Sequence, residues 1–281
     1  MWKTLLLTGL ALIAFAGNSV LSRLALGEGT IDAISFASIR LLSGALFLSL
    51  LVLLKTKKPI ELKRGNWASS LSLFLYAMSF SYAYLTLDTG VGALILFGCV
   101  QATLIVYGTI KGERLRALEW FGLLLAFIGV TILLKPSSSA PSLSGVILMS
   151  ISGIAWGLYT IVGRGSKTPL IDTTYNFIRT APFVVVIMAL FFNQIELSNK
   201  GIILALLSGA IMSGVGYAIW YSALAKLTTI QAGVVQLLVP LIAACGGIVF
   251  SNEQLSATFI IASFLVLGGV LLVLVGKLSP K

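Results

Sequence analysis

Apolar residues arrive along the chain in blocks of about 20, from WKTLLLTGLALIAF at the start to FIIASFLVLGGVLLVLVG near the end, each closed by a short polar break. At ~1.5 Å rise per residue, one block crosses the ~30 Å hydrocarbon core of a bilayer. Hydropathy and breaker residues predict ten spanning helices, over 3–23, 32–54, 67–87, 90–110, 117–135, 143–163, 171–192, 201–225, 230–250 and 256–276. The first block, with Lys3 ahead of it, looks like a signal peptide. Its apolar stretch is too long for one and runs into Asn18 and Arg23 without a cleavage site, so it is kept as a span.

Proline and serine cluster in PSSSAPS at 136–142, which divides the chain into halves of five spans, 1–135 and 143–281. The halves are related. A shift of 140 residues lays Gly92-Ala93 on Ala232-Gly233, Glu113 on Glu253, Leu115 on Leu255 and Gly129-Val130 on Gly269-Val270. With small gaps, Arg23 falls near Arg164, Arg40 near Arg179, and SYAY at 81–84 near GYAI at 216–219. Five spans is an odd number, so the second half must enter the membrane from the opposite face. The predicted fold is an all-α integral membrane protein of ten transmembrane helices arranged as two inverted five-helix repeats.

Composition agrees. Of 281 residues, 58% are hydrophobic and 10% charged, where a soluble domain carries about 25% charged residues. The net charge of +10 does not point to nucleic acid, because the basic residues sit in the breaks between spans. With the N-terminus inside, 14 of the 19 basic residues face the cytoplasm; Arg23, Lys135 and Lys200 face out, and Arg40 and Arg179 lie within spans. This bias predicts a multi-pass protein of the inner (plasma) membrane with both termini cytoplasmic. It also explains why GERLRALEWFG at 112–122 carries Arg114 and Arg116 while its repeat, NEQLSATFIIA at 252–262, carries no basic residue.

There is no histidine, and the two cysteines, Cys99 and Cys245, lie in apolar blocks as packing residues. No nucleophile has an acid partner inside a span, and there is no glycine-rich phosphate loop. The chain is therefore expected to be no enzyme and to hold no metal and no cofactor.

Ten spans as inverted halves, with Gly-Glu-Arg-Leu at 112–115 and Asn-Glu-Gln-Leu at 252–255 between the fourth and fifth helices of each half, resemble the drug/metabolite transporter superfamily, EamA type. The resemblance covers nearly the whole chain. It implies alternating access around a cavity lined by the first, third, fourth, sixth, eighth and ninth helices, and leaves the substrate open among amino acids, drugs and other metabolites. Two departures are visible. The family's mid-helix proline stands at Pro240, but its first-half counterpart is Val100. The glutamate that small four-helix multidrug members embed in their first helix is missing from IAFAGNSVLSR, and all nine acids fall at helix ends or in loops. Proton-coupled export of bulky cations is thereby disfavoured.

Several residues could line a pathway. Arg40 and Arg179 each lie about eight residues, or ~12 Å, into a helix, where an unpaired guanidinium is costly. Either could hold a substrate carboxylate or phosphate, or could snorkel to a helix end, Arg40 toward Asp32 and Arg179 toward Asp172. Pro182 and Pro240 free the carbonyls of Ile178 and Gln236, which suits hinges beside protein or a wet cavity. Gln236, with Gln231, makes the ninth helix either a cavity wall or a polar clamp between helices.

Tyr76 and Ser79 share a face of the third helix with Ser72; Trp156 and Tyr159 share one in the sixth, and Tyr217, Trp220 and Tyr221 one in the eighth. Such walls offer apolar area with a hydroxyl or indole donor to an amphipathic solute. Asn18 and Ser19 of the first helix complete the predicted ring, while Gly209, Ser213 and Gly216 permit close helix approach. Trp2, Trp67 and Trp120 read as interface anchors. Glu113 and Glu253 each precede an apolar helix, where a carboxylate suits the positive dipole end.

The reading is a secondary transporter or exporter of a small amphipathic metabolite, an amino acid or related carboxylate, working by alternating access. A multidrug exporter of neutral or cationic compounds is the alternative, and a lipid-flipping or non-transporting complex component is a third. The expected partners are a small-molecule substrate and the lipid bilayer, with no nucleic acid, and the expected state is a monomer.

Overall fold

A computed structural model describes residues 2–56, 65–112, 114–135, 140–163, 166–224, 226–227 and 229–276. Ten helical rods run through them. These are α1 (Trp2–Gly27), α2 (Ala33–Thr56), α3 (Trp67–Ala83), α4 (Thr89–Ile110), α5 (Ala117–Leu133) and α6 (Leu143–Gly163). Then follow α7 (Pro169–Ile178 and Ala181–Leu190), α8 (Asn199–Leu206, Leu207–Val215 and Gly216–Leu224), α9 (Thr229–Gln236 and Val239–Ser251) and α10 (Ala257–Gly276). Eight rods are long and apolar enough to cross a membrane, and the other two, α3 and α5, have 17 residues each. Leu46, Leu190 and Phe264 point outward while Asn18, Ser38 and Arg40 are buried, the polarity of a protein whose solvent is lipid.

The fifth helices of the two halves show how the repeats are related. A Cβ on Gly122 would strike the carbonyl oxygen of Gly269, and one on Gly269 that of Gly122. A Cβ on Gly129 would lie 3.0 Å from the carbonyl oxygen of Ala262. As the number rises along α5 it falls along α10, so the pair is antiparallel. The 140-residue shift carries Gly129 to Gly269 and Gly122 to Ala262, and thus turns one contact into the other. A two-fold axis runs through this pair, as inverted repeats require.

The prolines break their helices. In α7 the Thr180 N–H reaches back only to Phe177 O (3.0 Å), and Pro182 sits in the first turn of the next segment. In α9 the N–H groups of Leu237 and Leu238 bond Val234 O and Val235 O at 3.1 Å each before Pro240 opens the second segment. The first-half counterpart α4, with Val100 at the matching place, is unbroken. The repeats share topology, but the bends belong to the second half.

At one end of the bundle the halves are stitched together. Asp32 N donates to Glu196 O (3.1 Å), Glu196 N to Asp32 Oδ2 (3.0 Å) and Ser198 Oγ to Thr30 O (2.6 Å), beside a Lys200–Glu28 ion pair. Asp32 also accepts from Ser35 N (2.8 Å) through Oδ1, so its carboxylate caps α2.

The α5–α10 seam gives a paired test. Gly269→Val forces a side chain into the α5 backbone and should destabilise the protein by about 1–3 kcal/mol. Gly268→Val, at a glycine whose added Cβ meets nothing within 4 Å, should leave melting in detergent unchanged.

Candidate functional site

Arg40 projects from the first third of α2 into the middle of the bundle and is 2% exposed. Its Nη2 donates to the Tyr76 hydroxyl on α3 at 2.7 Å, and its Nε to Ser213 Oγ on α8 at 3.5 Å. Its Cζ lies 5.1 Å from the Tyr76 ring centroid and 4.8 Å from that of Phe80. Nη1 is buried without a hydrogen-bond partner, and among the described residues no carboxylate pairs with the guanidinium. Asp32, the acid nearest in sequence, is occupied at the helix end.

Close backbones make this arrangement fit. A Cβ at Gly209 would meet Ser43 Oγ and the Arg40 carbonyl, so only glycine lets α8 lie against α2 there. The Leu207–Val215 stretch of α8 is a π-helix. Its i→i+5 turn brings Ser208 and Ser213 to one side, where both donate to Asn18 Oδ1 of α1, at 2.8 and 3.4 Å. A polar relay thus runs from Arg40 through Ser213 to Asn18, all buried. Gly216 allows Ala14 the same close approach to α8.

Tyr76 also begins an aromatic wall. Its ring centroid lies 4.8 Å from that of Trp156 on α6. Trp156 stacks on Tyr159 (5.3 Å, 25°) and on Tyr217 (5.4 Å, 18°), and Tyr217 in turn meets Phe15 and Phe177 at 5.9 Å. Ser152 Oγ donates to Tyr76 O at 3.0 Å and pins α6 to α3. Beyond the rings, the Tyr159 hydroxyl donates to Thr173 Oγ1 (3.2 Å), which is 2.8 Å from the Tyr221 hydroxyl. A fixed cation and a row of flat rings therefore share one buried centre, with Tyr76 common to both.

A second cluster closes the stitched end of the bundle. Arg23 of α1 donates to Glu253 Oε1 (3.3 Å), pairs with Asp88 (3.4 Å) and donates to Tyr84 O (3.4 Å). Glu253 accepts the Thr89 N–H at 2.9 and 3.0 Å and the Thr89 hydroxyl at 2.9 Å. Its carboxylate therefore caps α4, in the other repeat, and not α10 as its position suggests; Ser256 Oγ accepts from Phe259 N (3.0 Å) at the head of α10. The repeat-related Glu113 and Arg164 lie outside the described residues.

The EamA-like transporter family matches residues 2–135 and again 143–275, once on each half of the chain. The chain belongs to that family. Its kind is a membrane transporter and not an enzyme. An uncharacterized protein of Pseudomonas aeruginosa is 49% identical over 99% of this chain and 96% of its own. An uncharacterized transporter of Archaeoglobus fulgidus is 26% identical over 96% of each, and a probable amino-acid metabolite efflux pump of Escherichia coli is 23% identical over 76% of this chain and 77% of its own. A solved crystal structure superposes with a TM-score of 0.63 at 17% identity, covering 94% of this chain and 97% of the other.

Within this EamA-like bundle, the residues singled out from the sequence scatter. Asn18, Arg40, Tyr76, Trp156, Tyr159, Tyr217 and Tyr221 join the buried centre, and Ser19 is buried beside Tyr84. Ser79 turns its hydroxyl back to Leu75 O (2.6 Å). Trp220 packs with Ala11 and Ala232 in a separate apolar cluster. Arg179 caps the first segment of α7 with its Cζ 5.4 Å from the Trp67 ring centroid. Gln236 ends the first segment of α9, half-buried; the Gln231 side chain lies outside the described residues. Pro240 is buried and Pro182 exposed.

Phe80, Ser208 and Thr173 went unnoticed in the sequence. For Ser208 the reason is spacing, since an α-helical period places residues five apart on different faces.

Tyr76→Phe removes the best acceptor of Arg40 and should cost about 1–3 kcal/mol of stability. Ser79→Ala, which breaks only a bond within its own helix, should melt like the parent.

Proposed function

We propose that the chain is a secondary transporter that exports a small amphipathic metabolite, an amino acid or related carboxylate, by alternating access. The observation that carries this reading is Arg40, buried with one guanidinium nitrogen unpaired and, among the described residues, no carboxylate on it. A carboxylate suits the planar fork, which offers two parallel N–H donors. The rings of Tyr76, Trp156 and Tyr217 supply flat apolar area for the rest of the solute. The efflux-pump name of the Escherichia coli relative, at 23% identity, points the same way.

The two halves would rock about this centre, bending at the breaks by Pro182 and Pro240. The Arg23–Glu253–Asp88 cluster would be the outer closure and would part when the carrier faces outward. The basic breaks would then face the cytoplasm, with both termini inside, in the inner membrane. The working unit is a monomer in the bilayer.

Uptake into proteoliposomes tests the reading. The panel is radiolabelled L-leucine, L-phenylalanine, phenylpyruvate and N-acetyl-L-phenylalanine, with tetraphenylphosphonium as the bulky cation. Saturable uptake of at least one carboxylate is expected, falling about tenfold or more in Arg40→Gln, the scale of one lost charged hydrogen bond, and falling also in Trp156→Ala. Uptake of the cation alone, or carboxylate uptake indifferent to both substitutions, would contradict it.

A further inference from the structure

We infer that this transporter works by exchange: one anion leaves Arg40, and the centre closes again readily only when another takes its place. The inference rests on the carboxylate reading above and adds to it how the carrier returns.

A guanidinium carries a positive charge, and Arg40 places one at the buried centre. Its neighbours at the buried centre are neutral. Tyr76 and Ser213 accept one hydrogen bond each, at 2.7 and 3.5 Å, and the faces of Tyr76 and Phe80 flank the group. Ring faces attract a cation but do not neutralise it. Nη1 stays without an acceptor, and among the described residues these carboxylates serve other groups: Glu28 pairs with Lys200, Asp32 accepts from Ser35 and Glu196, and Asp88 and Glu253 hold Arg23.

Each passage between inward- and outward-facing forms goes through a centre sealed from water at both ends. Sealing it around an unneutralised cation is costly, because a desolvated charge needs a partner. An anion seated on Nη1 and Nη2 supplies both the opposite charge and the missing acceptor. The loaded carrier therefore closes readily and the empty one slowly. Once cargo has left, the carrier waits on that side for another anion. A neutral molecule of the same shape fills the space but leaves the charge, so it does not release the block.

Efflux from reconstituted vesicles tests this. Vesicles are loaded with radiolabelled N-acetyl-L-phenylalanine or phenylpyruvate and diluted into buffer alone, into buffer with the same unlabelled anion, or into buffer with the uncharged N-acetyl-L-phenylalaninamide. The expected result is efflux about tenfold faster or more with the anion outside, and no acceleration by the amide. In Arg40→Gln the ratio should fall toward one, while Arg40→Lys keeps the charge and should keep the acceleration.

Equal efflux under all three conditions, with saturable carboxylate uptake intact, would overturn exchange and leave the carboxylate reading standing. Acceleration by the amide as strong as by the anion, or an unchanged ratio in an active Arg40→Gln protein, would also overturn it. No carboxylate transport in any format would overturn the underlying reading and exchange with it. If Arg40→Gln does not fold, the anion and amide comparison on the parent protein decides the matter alone.

Discussion

The Arg40 guanidinium sits buried in this bundle with no carboxylate beside it among the described residues, and the surrounding structure is arranged to tolerate that charge. Tyr76 and Ser213 approach it from two other helices, two ring faces flank it, and Gly209 lets α8 come close enough for Ser213 to reach. The relay continues to Asn18, so α1, α2, α3 and α8 are tied to one group. An apolar residue at position 40 would pack without such support. The polar centre is thus costly to stability, a cost that the proposed anion would offset when it neutralises the charge.

The architecture was legible in the sequence for a simple reason. Lipid leaves few ways to satisfy a backbone, so block length, the charge of the breaks and the odd number of spans per repeat all constrain the same ten-helix answer. The 140-residue offset also relates the contacts that the structure shows, in which Gly122, Gly129, Ala262 and Gly269 exchange roles about the pseudo-axis.

The site was legible only in part, because the repeat encodes topology and not side-chain environment. Arg40 and Arg179 match in register and in depth from their helix starts. Yet the first is sealed in the centre, while the second caps a helix that Pro182 has broken and lies over Trp67. Tyr82 and Tyr217 match in the same way, but Tyr82 is exposed and Tyr217 stacks on Trp156. What sequence spacing could not supply were contacts across long separations. Tyr76 reaches Arg40 across 36 residues, Glu253 caps Thr89 across 164, and the π-helical turn sets Ser208 beside Ser213 against the usual period.

Equilibrium binding to the purified protein in detergent probes the central claim most directly, since it needs neither sidedness nor turnover. Radiolabelled N-acetyl-L-phenylalanine should bind the parent protein saturably, its uncharged amide should not compete, and Arg40→Gln should lose the binding while Gly268→Val keeps it. Competition by the amide as strong as by the acid, or full binding in Arg40→Gln, would contradict a centre built around the charge of Arg40.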